Sequence, residues 1–179
     1  MEILFYLIVL IIFISIAFSI YYFKAPNSQS SLKDMYAEGL DMLVTGKRKT
    51  AYKIFKEIIE KDSNNIKAYL HLGQVLREGG STKKALEVHR NLLLRKNLNN
   101  YDQIELYKNI SLDYYDLEDF KQAINYCAMI LKVDGLNEWA LKQSIFLYKK
   151  KNNWEKSSEY LKAYLNLKNK VDNKKIALF

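Results

Sequence analysis

The sequence predicts an all-α protein: an N-terminal transmembrane helix followed by an α-solenoid of about four helix pairs. Three observations carry this expectation. Residues 3–23, ILFYLIVLIIFISIAFSIYYF, hold 21 positions without a charge. Beyond them, small residues recur at one spacing within stretches of helical apolar periodicity. Finally, Pro occurs once and Gly six times in 179 residues, 49% of them hydrophobic, which argues against turn-rich β architecture and against disorder.

The apolar run would make a helix of about 31 Å, near the thickness of a bilayer hydrocarbon core. A cleaved signal peptide is the competing reading. No Lys or Arg precedes the run, it is too long for an h-region, and no small-x-small site follows closely, so a retained anchor is preferred. Lys24 and Lys33 follow the span, with Lys47, Arg48 and Lys49 farther on, and only the amino terminus and Glu2 precede it. That asymmetry places the bulk of the chain in the cytoplasm, as a single-pass protein of the cytoplasmic membrane.

Residues 24–31, KAPNSQSS, contain the only proline and read as a polar linker. All 28 positive and 19 of the 20 negative side chains lie beyond residue 23, a formal +9. Such a charge favours an anionic leaflet. The lysines are spread over many helix faces with no nucleic-acid signature, so nucleic acid is not expected as a partner.

Beyond the linker the chain repeats itself. Gly39 and Gly73 lie 34 residues apart, as do Gly46 and Gly80, Ala51 and Ala85, and Phe55 and His89. Ala123 follows Ala85 by 38, which places a four-residue insertion in the connection around 97–103, and Ser157 follows Ala123 by 34. This is the tetratricopeptide period. The repeats fall at about 32–64, 65–99, 101–135 and 138–170, and 171–179 begins a further helix or a capping tail. Ala51, Ala85, Ala123 and Ser157 stand where the second helix of each pair crosses the first, and Gly73 permits close approach there. The REGGS turn ends one helix at Gly79 or Gly80 in the left-handed region, and Ser81 or Thr82 caps the next.

Neither this turn nor its counterpart one repeat earlier is a phosphate cradle. Gly39 and Gly46 are separated by six residues rather than four, and Lys47 is followed by Arg48 rather than Ser or Thr. His89 substitutes for the aromatic at Phe55 and reads as a partly buried, hydrogen-bonded histidine, since no Cys, His or Asp stands at i+3 or i+4. His71 has no local partner either. Cys127, the only cysteine, takes the same slot in the third repeat as a small hydrophobe and excludes an internal disulfide or a multi-cysteine zinc site. With no acid–base pair, nucleophile elbow, metal cluster or nucleotide loop, the chain is read as having no chemistry of its own, no cofactor and no metal.

The chain resembles the lipopolysaccharide assembly protein B family along essentially its whole length. The resemblance is carried by the anchor, the unit YAEGLDML with AYKIFKEIIEKD, and Leu72-Gly73, Arg77, Gly80, Ala85 and His89. Leu112-Asp113-Tyr114-Tyr115 with Ala123, the run WALKQSIFLYKKKNNWEKS and the longer step between repeats two and three add to it. It implies an anchored adaptor linking an inner-membrane protease to the deacetylase that commits carbon to lipid A. The family's rubredoxin-like module and its four metal-binding cysteines are not present in these residues, and metal binding is not carried over. A structural scaffold of another envelope complex, in secretion or division, is the alternative.

A tetratricopeptide stack presents its first helices along a concave groove. Counted from the repeat landmarks, the groove residues are Tyr36, Leu70, Gln74, Arg77, Lys108, Leu112, Tyr115, Lys142, Phe146 and Lys149. Their aromatic, aliphatic and basic mixture suits a protein segment carrying acidic residues among apolar anchors. Leu161, Tyr164 and Leu165 close the array with little beyond them to cover them, which points to a homodimer.

Overall fold

The computed structural model describes residues 2–24, 28–96 and 98–176, with side chains described at 6–7, 10–19, 31–96 and 98–169. Nine α-helices and no strand occur among them: α1 (Glu2–Lys24), α2 (Ser28–Val44), α3 (Arg48–Lys61), α4 (Ile66–Glu78), α5 (Thr82–Leu92), α6 (Asn100–Asp116), α7 (Phe120–Val133), α8 (Glu138–Lys150) and α9 (Trp154–Ile176). From α2 onward they form four helix pairs. Each helix packs on the next, and α4 also packs on α6, so first helices of neighbouring pairs follow one another along one face.

The core is a string of shared clusters. The first joins Leu40 and Leu43 of α2, Ala51, Phe55 and Ile58 of α3, and Ala68, Leu72 and Val75 of α4. The second sets Leu70 and Leu92 against Leu106 and Ile110 of α6, and the last two bridge α6, α7 and α8. Every cluster thus spans a pair and the helix after it. Burying a side chain such as Phe55 or Ile58 fully contributes about 2–3 kcal/mol, and here that gain depends on a neighbouring pair.

The small residues do what their spacing predicts. Ala51, Ala85 and Ala123 are fully buried and Ser157 nearly so, its hydroxyl donating to the Ile145 carbonyl at 3.2 Å. Opposite them, a small residue on the first helix admits a larger one on the second. A Cβ at Gly39 would come 3.0 Å from the Phe55 ring, and a Cβ at Gly73 would clash with the Nε2 edge of the His89 ring. In the third pair Ser111 meets Cys127 at 3.3 Å.

The turns repeat as faithfully. Gly46, Gly80, Glu118 and Asn152 hold the same place in the four pairs, all with left-handed φ of 74°, 80°, 60° and 55°. Of the two glycines in REGGS it is Gly80, not Gly79, that turns left-handed. Ser81 holds the N-cap position of α5, but its hydroxyl makes no capping bond. The turn is fixed instead by the Ser81 N–H donating to the Leu76 carbonyl at 2.8 Å. Side-chain caps come from Asn65, Asn99 and Asn137 on α4, α6 and α8, and from Asp119 and Asn153 on α7 and α9.

Three boundaries differ from those the sequence predicts. α2 starts at Ser28, inside the expected linker, whose residues 25–27 lie outside the described ones. α9 runs unbroken to Ile176, so residues 171–176 prolong the last helix rather than open a new one; no Gly or Pro interrupts them. The four-residue insertion is in α6 itself. The caps Asn65 and Asn99 are 34 residues apart, whereas the helix ends Glu78 and Asp116 are 38 apart, so α6 is 17 residues long against 13 for α4 and α8. Residues 100–103 are an added first turn of α6.

Among the described residues no helix is long and apolar enough to cross a membrane. The expected span falls on α1, whose side chains are described only at Tyr6, Leu7 and residues 10–19. Leu10, Ile11, Phe13, Ile14 and Ile16 among them are exposed.

Candidate partner-binding groove

The residues with the most reactive chemistry are spent on packing. His89 is fully buried on α5, its Nε2 donating to the Leu70 carbonyl at 3.2 Å and its Nδ1 facing Asp113 Oδ2 at 2.5 Å. Asp113, fully buried on α6, takes its second contact from Arg77 Nη1 at 2.8 Å, and the same guanidinium reaches the Asn109 side chain at 3.4 Å. One carboxylate therefore ties α4 and α5 to α6. Cys127 is also buried. Burial pushes its thiol up to about 11, against the partial offset of the neighbouring Ser111 and Ser144 hydroxyls, so it is a poor nucleophile at neutral pH.

That network corrects two of the expected groove residues. The Arg77 side chain is 9% exposed and engaged inside the stack, and Leu70 is 6% exposed within the second core cluster. Both are held largely between helices because α6 packs directly on α4, and Leu70 keeps only an edge on a pocket between α2, α4 and α6.

The other expected residues lie along the first helices. Tyr36 of α2 is half-buried, 5.9 Å from the Phe55 ring and 5.6 Å from His71. Gln74 accepts from His71 Nδ1 at 3.1 Å and donates to Glu78 at 2.9 Å. Leu112 is half-buried. Tyr115 of α6 packs 5.5 Å from Phe146 of α8, which is 39% exposed with Lys150 over its ring. Lys149 is exposed.

Lys108 and Lys142 do not stand as free positive points. Lys108 pairs with Glu105 at 2.7 Å and lies over the Trp139 ring; Lys142 pairs with Glu138 at 2.7 Å and lies over Tyr164. Glu138 also receives Lys168 at 3.0 Å, and hydrogen bonds from Lys142 and then Lys168 hold its carboxyl down at about 2. The positive charge expected of the groove is largely answered by its own acids.

The structure adds a pocket that the repeat spacing does not reveal. It measures about 230 Å³ and lies among α2, α4 and α6, lined by Tyr36, Lys67, Leu70, His71, Gln74, Tyr101, Asp102, Glu105 and Asn109. Tyr101 and Asp102 belong to the added turn of α6. His71 is not partnerless: besides Gln74, it stacks on Phe55 at 5.3 Å. Burial lowers its pKa below the ordinary 6.5, outweighing the Gln74 hydrogen bond and the Glu105 charge that oppose it, with the Lys67 charge adding least. The i, i+4 spacing of Tyr101 and Glu105 was the available signal, legible only once α6 is known to start at Asn100.

No family model matches the chain. It is 20% identical over 144 residues to lipopolysaccharide assembly protein B of Escherichia coli K12, covering 80% of this chain and 37% of that protein. The Haemophilus influenzae protein of the same name is 22% identical over 150 residues, covering 79% and 38%. The chain thus spans less than two fifths of the length of these relatives. Among solved structures, MamA of Desulfovibrio magneticus aligns over 78% of this chain and 76% of its own at a TM-score of 0.65 and 17% identity. A tetratricopeptide repeat protein of Parabacteroides merdae aligns over 79% and 55% with a TM-score of 0.65 and 20% identity. YrrB, described as a tetratricopeptide protein with an unusual peptide-binding site, aligns over 78% and 70% with a TM-score of 0.59 and 20% identity. Fold and relatives agree: the chain is a tetratricopeptide α-solenoid similar in sequence to lipopolysaccharide assembly protein B.

Proposed function

We propose that this protein is a membrane-anchored adaptor whose inner face binds a protein segment. The carrying observation is the division of labour among its side chains. His89, Asp113, Arg77 and Cys127 are buried in packing, whereas Tyr36, Gln74, Tyr115 and Phe146 leave polar and aromatic surface along the first helices. Such a surface suits recognition rather than chemistry.

The uncharged run over residues 3–23 and the exposed apolar side chains of α1 support an anchor, and the charge asymmetry supports a cytoplasmic array. The likeness to lipopolysaccharide assembly protein B supports a role in lipopolysaccharide synthesis, in which the groove links a lipid A biosynthetic enzyme to a membrane protease. Leu161 and Leu165, 40% and 49% exposed on α9, support contact with a second copy.

Crosslinking of the membrane-embedded protein, followed by affinity capture and mass spectrometry, tests this function. A membrane protease recovered with a lipid A biosynthetic enzyme is the expected result. Secretion or division components recovered in their place contradict the pathway and leave the architecture as an anchored scaffold of another complex.

A further inference from the structure

We propose that the pocket among α2, α4 and α6 receives a lysine or arginine side chain of the bound protein segment. This inference rests on the adaptor reading and deepens it, because it sets the charge of the partner residue at one place in the groove.

The chemistry of the walls selects a cation. Two carboxylates, Asp102 and Glu105, line the pocket together with the phenol rings of Tyr36 and Tyr101, and the buried Leu70 adds an aliphatic surface. Aromatic faces beside carboxylates attract an ammonium or guanidinium group, and the aliphatic part of a long basic side chain covers apolar wall on its way in. Each carboxylate has one oxygen already engaged. Asn99 donates to Asp102 Oδ2 at 2.8 Å, and Lys108 donates to Glu105 Oε1 at 2.7 Å. Among the described residues no donor reaches the other oxygen of either group. Lys67 is the pocket's one lysine, on a wall shared with a neighbouring cavity that Lys33 and Asp62 also line.

The sense of charge is the reverse of what the groove lysines imply. Lys108 and Lys142, which in sequence suggest an acidic partner, are each ion-paired within the chain. The pocket owes one of its two carboxylates and one of its rings to the lengthened first helix of the third pair, since Tyr101 and Asp102 stand on residues 100–103, which α4 and α8 have no counterpart for.

The test is selection from a random-peptide library on the detergent-solubilised full chain, in parallel with the Asp102→Asn/Glu105→Gln variant. The variant keeps side-chain size and is checked by its helical melting curve. The expected result is enrichment of Lys or Arg at one peptide position on the native chain, lost on the variant. A selected peptide should bind the variant about tenfold more weakly, while its basic-to-Ala counterpart binds both proteins alike. Enriched peptides without a basic preference, or with the same preference on the variant, overturn this inference and leave the groove standing. Failure of any peptide to be enriched contradicts the groove, and this inference with it.

Discussion

The His89 imidazole occupies the space that Gly73 leaves open, and a Cβ at position 73 would clash with its Nε2 edge. The first pair shows the same relation more gently, with the Cβ position of Gly39 3.0 Å from the edge of the Phe55 ring. Gly73→Ala should cost about 3 kcal/mol and Gly39→Ala about 1 kcal/mol, by overpacking of a closed core. Urea unfolding measures both. Adding His89→Ala to Gly73→Ala should recover part of the loss, since the two residues compete for one space. Gly73→Ala with native stability contradicts the arrangement.

Asp113 is the anionic partner of Arg77 and His89 and lies out of reach of water. Asp113→Asn should therefore destabilise the array by about 3 kcal/mol, because it leaves buried donors without their charge partner. The effect should concentrate at the junction between the second and third pairs. Amide exchange should rise most in α5 and α6, and a uniform rise across all helices contradicts this placement.

Glu118 adopts φ 60° at the place where the first two pairs use glycine. A side chain there costs about 1–2 kcal/mol, partly offset by the chain entropy glycine brings to the unfolded state. Glu118→Gly should stabilise the protein by about 0.5–1 kcal/mol. Asn152→Gly, at φ 55°, should gain less, since asparagine tolerates this region. The two melting temperatures against the native protein decide the point.

His71 supplies a pH test. Its pKa is lowered in the folded chain, so the unfolded state binds its proton first as pH falls through 6.5. The contribution of this group to stability is full above that pH and declines below it. In a proton NMR titration the His71 ring signal, assigned through His71→Gln, should have its midpoint below 6.5. A midpoint above 6.5 contradicts the buried stack on Phe55.

The array was legible because crossing helices permit only a small residue at Ala51, Ala85, Ala123 and Ser157, and that constraint recurs with the period. The insertion between Ala85 and Ala123 was visible too, but spacing alone cannot tell a longer loop from a longer helix. The added turn of α6, and with it Tyr101 and Asp102, went unseen. Arg77 looked available because its partner Asp113 stands 36 residues away in sequence and only packing brings the two together. The ion pairs of Lys108 and Lys142, by contrast, are legible in sequence: their acids, Glu105 and Glu138, lie three and four residues earlier on the same helices, as the i, i+3 and i, i+4 rule requires.

The central claim is that protein partners dock on the inner face of the first helices. Site-specific photo-crosslinking in cells tests it most directly, with the photoreactive residue placed at Gln74 or Phe146 on that face and at Lys53 or Lys84 on α3 and α5. The account predicts partner adducts from Gln74 and Phe146 and none from Lys53 and Lys84. Adducts confined to Lys53 and Lys84 would contradict it and move the binding surface to the second helices.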